Sequence, residues 1–182
     1  MMATDPELLE RALAGQEQAF AELYRRRQGG VYRFALQMTG SVVVAEDVTQ
    51  ETFLTLLTRG SKYDAARGTV SAFLYGIARN LLLRRLERDP GTELEDFAGA
   101  EDVLEDLTRR ESIELVRRAV LSLPGPFREV VVLCDLQDCS YEEAAAALDC
   151  PLGTVRSRLN RGRSMLARKL RGVTSKVVRS IV

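Results

Sequence analysis

Apolar residues return at helical spacing in almost every periodic stretch of this chain, and no segment alternates convincingly at period two. A chain patterned this way can bury its apolar stripes only by stacking helices on one another, so the fold class expected is all-α. Ala19, Phe20, Leu23 and Tyr24 mark one stripe, which resumes after a Gly29-Gly30 interruption with Val31, Phe34, Ala35 and Met38 and ends in a turn at Thr39-Gly40-Ser41. The next helix, about 44–58, is expected to bury Ala45, Val48, Thr52, Phe53, Leu56 and Leu57, leaving Glu46, Asp47, Gln50 and Glu51 on an acidic arc. Beyond the Gly-rich loop Gly60–Gly68, Thr69 is placed to cap a fourth helix, with Phe73, Leu74, Ile77, Ala78 and Leu81 inward and Arg79, Asn80, Arg84 and Arg85 nearer its margins. Residues 1–86 read as one small helical domain.

A second domain is expected over residues 111–172. Ile113, Leu115, Val116, Ala119, Val120 and Leu121 carry its first helix up to Leu123-Pro124-Gly125-Pro126, which stops it. Val130-Val131-Val132 has strand propensity, yet no partner strand exists anywhere in the chain, so Phe127–Leu136 reads as a buried helix. Ser140-Tyr141-Glu142-Glu143 is a capping box that opens a short helix, Tyr141–Leu148. A turn at Asp149–Gly153 leads into a basic helix from about Thr154 past Leu170, burying Val155, Leu159, Gly162 and Leu166. Two short helices joined by a tight turn, the second one basic, form a helix-turn-helix.

Charge is unevenly spread although the 26 basic and 26 acidic residues cancel. Residues 151–182 carry nine Lys/Arg and no carboxylate, the electrostatic footprint of a phosphate-binding element. Residues 86–116 carry three basic and eleven acidic side chains and read as a linker, assigned to 87–110, with a helix resuming near Leu104. Such a linker is expected to visit the basic face as a weak, salt-screened competitor of DNA. The chain has no histidine, which removes the usual imidazole base and the familiar Ser/His and Cys/His nucleophiles. Three cysteines, Cys134, Cys139 and Cys150, are too few for a four-ligand zinc site and are expected as thiols packed as small hydrophobes. No metal, cofactor or catalytic role is expected. With no long apolar run and no basic, apolar leader at Met1-Met2-Ala3-Thr4, the expected location is the cytoplasm.

Three strings, in order, carry a family resemblance: Ala45-Glu46-Asp47-Val48-Thr49-Gln50-Glu51-Thr52-Phe53; Phe73-Leu74-Tyr75-Gly76-Ile77-Ala78-Arg79-Asn80; and, after Leu123-Pro124, Gly153-Thr154-Val155-Arg156-Ser157-Arg158-Leu159-Asn160-Arg161-Gly162-Arg163. Together they resemble RNA polymerase sigma factors of the extracytoplasmic-function (ECF) type over about residues 5–170. The resemblance implies two helical domains, the family's second and fourth conserved regions, joined by a linker. It maps Asp47, Gln50 and Glu51 to a face that docks on core RNA polymerase. Lys62, Tyr63, Arg79, Asn80, Arg84 and Arg85 map to recognition and opening of the −10 promoter element. Arg156, Ser157, Arg158, Arg161 and Arg163 map to reading of the −35 element. It also implies an anti-sigma factor as partner, alongside polymerase and promoter DNA.

This sequence departs from the family pattern in having no tryptophan, with Phe73 where relatives usually carry Trp, and Ala144 where Ile is common. Residues 173–182 have no reading. A stand-alone helix-turn-helix regulator would account for residues 140–172 but leaves the acidic helix and the loop before Thr69 unused. A helical interaction protein would account for the acidic regions and not for the basic end.

Overall fold

Local capping chemistry places most helix starts. The structure, a computed structural model, describes residues 3–88 and 104–181, the side chains of 104–112 and 172–181 excepted. Thr4 opens α1 (Asp5–Leu13), its amide donating to Glu7 Oε2 at 2.8 Å. α2 (Glu17–Thr39) ends at Gly40, which takes a left-handed φ of 76°. Ser41 caps α3 (Val42–Arg59), accepting from the Val44 amide at 3.3 Å. A 3₁₀ turn, Gly60–Lys62, leads through the loop to α4 (Val70–Arg88), whose first turn is capped as anticipated by Thr69, accepting from the Ala72 amide at 3.2 Å.

Two features of this first body differ from the sequence reading. α2 runs unbroken through Gly29 and Gly30: a Cβ at Gly30 would lie 2.9 Å from Tyr75 Oη, so the glycine lets the buried Tyr75 ring pass close to the helix and pack 5.4 Å from Phe34. Leu57 is 43% exposed rather than buried, because the inward arc of α3 is filled by Ala45, Val48, Thr52, Phe53 and Leu56. The buried Thr52 hydroxyl is satisfied by donating to Val48 O at 2.6 Å. Phe53 takes an edge-on contact from Tyr24 at 4.7 Å.

The second body begins with α5 (Leu104–Leu121), so a helix does resume near Leu104 and the boundary assigned at 111 falls inside it. α6 (Gly125–Val131) starts at the Pro-Gly-Pro stop and passes into one π turn, Val132–Leu136. The three consecutive valines are thus helical and fully buried. α7 (Tyr141–Leu148) carries the expected capping box, with Glu143 N donating to Ser140 Oγ at 3.1 Å and Ser140 N to Glu143 Oε2 at 2.9 Å. Asp149 turns the chain in the left-handed region (φ 48°), and α8 (Leu152–Ile181) follows, its backbone extending through the tail that had no reading. Gly162 is required by proximity: a Cβ there would lie 2.8 Å from Val131 Cγ2, so α8 crosses α6 closely.

One buried cluster spans both bodies, from Leu9, Phe34 and Leu74 on one side to Leu133, Leu148 and Leu159 on the other. Arg128 bridges them at its edge. Its half-buried guanidinium donates to Met38 O (2.6 Å) past the middle of α2's last turn and to Leu123 O (3.0 Å) after α5, satisfying carbonyls that helix ends leave open. Arg117 Nη2 donates to Gly40 O at 2.9 Å, and Gln137 Nε2 to Gln37 Oε1 at 2.7 Å. Of the linker assigned to 87–110, residues 87–88 end α4 and 104–110 begin α5, while 89–103, on which the expected visit to the basic face depends, lie outside the described residues. Among the described residues no helix is long and apolar enough to cross a membrane.

Candidate nucleic-acid interface

The loop before α4 is built around Tyr63. Its hydroxyl donates to Gly68 O at 3.2 Å and its ring lies 5.7 Å from that of Phe73, tilted by 60°. Asp64 Oδ1 accepts from the Ala66 amide at 2.9 Å, a turn that an aspartate side chain makes with its own backbone. Burial, with Asp5 and Asp64 nearby, raises the Tyr63 phenol, so it stays a neutral donor at physiological pH. Lys62, Tyr63, Phe73 and Asn80 converge on a cavity of about 270 Å³. Phe73 is therefore a half-buried wall of this cavity and not the core residue that its helix position suggested. Arg84 is exposed one turn after Asn80, on the same face of α4.

The remaining arginines expected here go elsewhere. Arg79 Nε donates to Glu129 Oε1 on α6 at 2.8 Å, and the Glu129 side chain is only 6% exposed. Arg85 turns toward α3, 3.4 Å from Asp47 Oδ2 and 3.7 Å from Glu51 Oε2. The acidic arc of α3 thus carries its own cation: Asp47, Gln50 and Glu51 are exposed on one face, flanked by the exposed Val43 and Leu54, with Arg85 alongside.

On the helix-turn-helix, Arg156, Ser157 and Arg161 are exposed along α8 and Arg158 is half-buried. The Ser157 hydroxyl donates to Thr154 O at 3.1 Å. Arg163, expected in the same set, is held by Asp135 at the end of the π turn, with Nε to Oδ2 at 3.0 Å, and this carboxylate hydrogen bond keeps its guanidinium more basic than usual. Ala144 is fully buried in α7. Cys134 and Cys139 are half-buried, and burial pushes their thiols up to about 11 and about 12, so both are protonated.

Sequence reasoning missed a set of residues where the two bodies meet. Arg67 Nη2 donates to Asp149 Oδ1 at 3.3 Å, Thr69 Oγ1 to Glu143 Oε1 at 2.9 Å, and Gly76 lies against the backbone of Ala147, whose carbonyl oxygen would be 3.3 Å from an added Cβ. The partners are 82 and 74 residues apart in sequence, and no local pattern announces either pair. The run of small residues Ala144–Ala147 on α7 is the one local signal that a close approach was possible there.

Comparison with known proteins agrees with this arrangement. Residues 23–90 match the Sigma-70 region 2 family model and residues 113–166 the Sigma-70 region 4 model. The chain is 39% identical over 153 residues to ECF RNA polymerase sigma factor SigE of Mycolicibacterium smegmatis, covering 80% of this chain and 59% of that longer protein. It is 32% identical over 172 residues to ECF RNA polymerase sigma factor SigW of Bacillus subtilis, covering 86% of this chain and 91% of the other. Among solved structures, CnrH in complex with the cytosolic domain of CnrY superposes with a TM-score of 0.72 at 26% identity, covering 92% of this chain and 97% of that one. With both conserved regions matched in order and SigW-like identity across nearly its full length, the chain belongs to the ECF family of RNA polymerase sigma factors.

Proposed function

We propose that this sigma factor directs RNA polymerase to promoters through three separate surfaces and acts by binding, without catalysing a reaction itself. The observation that carries the reading is the convergence of Lys62, Tyr63, Phe73 and Asn80 on one cavity beside the loop of the first body. Two aromatic rings and a side-chain amide there suit a base taken out of the stack, since stacking needs a flat face and discrimination needs donors and acceptors on the base edge. Arg84, one turn away, serves the strand's phosphates. Asp47, Gln50 and Glu51 on α3 form the polymerase-docking face, where carboxylates opposite basic residues give orientation and specificity. Arg156, Ser157, Arg158 and Arg161 on α8 enter the major groove of the −35 element, as the second helix of a helix-turn-helix does.

In this scheme residues 1–86 serve polymerase and the −10 element, 87–110 link, and 111–172 serve the −35 element, all in the cytoplasm where polymerase works. A regulatory protein partner of anti-sigma type is also proposed, supported by the complex in which CnrH is seen with CnrY. Run-off transcription with core polymerase on a promoter library tests the whole reading. Wild type should yield promoter-specific transcripts. Asp47→Lys with Glu51→Lys should lose polymerase binding while keeping helicity, and Asn80→Ala should bind promoters but open them poorly. Unaltered polymerase affinity in the double reversal would refute the docking face.

A further inference from the structure

A second cavity, of about 190 Å³, lies between α2, α4 and the segment that follows the π turn, and none of the three surfaces described for polymerase and promoter uses it. Its wall is polar. Arg27 and Arg33 come from α2, Ser71 and Tyr75 from α4, and Gln137 and Asp138 from the far side. Tyr75 is the unusual member: the residue is 8% exposed and its ring packs on Phe34, yet its hydroxyl has no hydrogen-bond partner among the described residues and opens onto the cavity. A buried hydroxyl left without a partner is costly, so this one is satisfied by what fills the cavity.

The other groups of the wall say what that occupant is. Burial pushes the Tyr75 phenol up to about 12, against the opposing influence of Arg33 and Arg27, so it remains a donor. Arg27 donates through Nε to Asp5, which fixes its guanidinium and leaves its Nη groups for another acceptor. Arg33 is exposed and has no carboxylate partner among the described residues. Ser71, the second residue of α4, adds a hydroxyl at the helix end where the dipole favours anions. Two guanidinium groups and two hydroxyls around one small space match an oxyanion with several acceptor oxygens. The volume falls below the roughly 300–1,000 Å³ of pockets that enclose whole small molecules, so it admits one phosphate group and leaves any larger remainder outside. We propose that this cavity binds a phosphate group, either free phosphate or the terminal phosphate of a small phosphorylated molecule, through Arg27, Arg33, Ser71 and Tyr75.

A phosphate held there bridges α2 and α4 within the first body, so it raises the stability of the full-length chain by mass action as its concentration rises. Four full-length variants separate the site from general attraction to a basic surface. Tyr75→Phe removes only the hydroxyl oxygen, and Arg33→Gln removes an exposed cation that no carboxylate of the described residues holds. Asp138→Asn removes the carboxylate of the wall, which opposes an anion. Arg25→Gln is the control: it takes the same charge from the same helix, but Arg25 pairs with Glu22 and does not line the cavity.

Isothermal titration calorimetry with inorganic phosphate, adenosine triphosphate and a short mixed-sequence single-stranded DNA reads binding, and Tm in the same buffers reads the stabilisation. The expected result is a single saturable site for the small anions, weakened about tenfold by Tyr75→Phe and by Arg33→Gln, as for loss of a hydrogen bond to a charged group. Asp138→Asn should bind more tightly and Arg25→Gln should match wild type. Inorganic phosphate bound as tightly as the triphosphate identifies the free anion as ligand, whereas tighter triphosphate binding identifies a phosphorylated molecule. No saturable binding of either small anion, or uptake of the single strand alone, would overturn the site. Equal weakening by Arg33→Gln and Arg25→Gln would overturn it as well, since that result marks diffuse attraction. Arg33 is exposed and its replacement spares the core, so the test stands even if Tyr75→Phe fails to fold.

Discussion

Gly29 and Gly30 sit side by side in α2, and the structure assigns them opposite responses to the same substitution. Glycine inside a helix is about 0.8–1.0 kcal/mol less favourable than alanine, so each Gly→Ala change begins with that gain. At Gly29 the new Cβ meets only the Arg33 Nη1 atom at 3.3 Å, the end of an exposed side chain that can swing aside. Gly29→Ala should therefore stabilise by about 0.5–1 kcal/mol, a rise in Tm of a few degrees for a chain of this length. At Gly30 the Cβ would lie 2.9 Å from Tyr75 Oη, and Tyr75 is 8% exposed and packed on Phe34. Overpacking of a filled site costs about 1–3 kcal/mol, which cancels or exceeds the helix gain and leaves Gly30→Ala neutral to about 2 kcal/mol destabilised. Tyr75→Phe deletes the clashing oxygen and leaves the ring carbon 3.8 Å away, so in that background Gly30→Ala should recover the helix gain. Urea unfolding of wild type, both single glycine variants, Tyr75→Phe and the double variant gives the coupling, expected at about 1–3 kcal/mol for residues in direct contact. A Gly30→Ala chain as stable as Gly29→Ala, or one whose loss persists without the Tyr75 hydroxyl, would refute the claim that this hydroxyl dictates the glycine.

Arg158→Ala should reduce discrimination between −35 sequences by about 1–3 kcal/mol in competition binding, whereas Arg163→Ala, whose guanidinium is held by Asp135, should leave discrimination intact and lower stability by no more than about 1 kcal/mol. Equal loss of specificity in both would return Arg163 to the groove. Glu143 feels two opposed influences: burial raises its carboxyl, and the Ser140 amide with the Thr69 hydroxyl more than offset it, so the folded value lies below the ordinary one. A depressed carboxyl stabilises above the unfolded value of about 4.3 and loses that contribution as pH falls through the folded value. Acid should thus weaken the α7 cap, and the acid limb of a pH series of urea midpoints should be shallower in Glu143→Gln; identical limbs would count against the linkage.

What was legible in the sequence was the local chemistry. The capping box at Ser140 and Glu143, the Thr69 cap and the Pro-Gly-Pro stop were read from neighbours within four residues, the helix through Val130-Val131-Val132 from the want of any partner strand, and the structure has each of them. α1 carried the same kind of signal, Thr4 with Glu7 three residues on and Pro6 between, but its apolar stripe of Leu8, Leu9 and Ala12 is too short to stand out by periodicity. Gly29-Gly30 misled for a different reason. Propensity reports the cost of glycine in a helix and says nothing of a tyrosine 45 positions later that needs the space, so the tertiary contact overrode the local preference.

The site was legible as a set of residues and less so as a set of roles, and the arginines show why. Arg79, Arg85 and Arg163 are paired with carboxylates 50, 38 and 28 residues away, partners that no spacing rule reaches. Charge blocks place cations near one another in sequence but do not reveal which of them folding consumes. The pairs also differ in what it takes to release them. Arg85 and its α3 carboxylates are all well exposed, and such pairs are worth about 0–1 kcal/mol, so polymerase residues can displace Arg85 from Asp47 and Glu51 with little loss. Glu129 is buried, and stripping its cation inside a closed seam would strand a charge at about 3–5 kcal/mol. Arg79 can therefore turn to a phosphate only if Glu129 reaches water at the same moment, which requires α6 to leave α4. Release of Arg79 is thus tied to movement of α6 away from α4, while the exposed Arg156 and Arg161 on α8 need no such step.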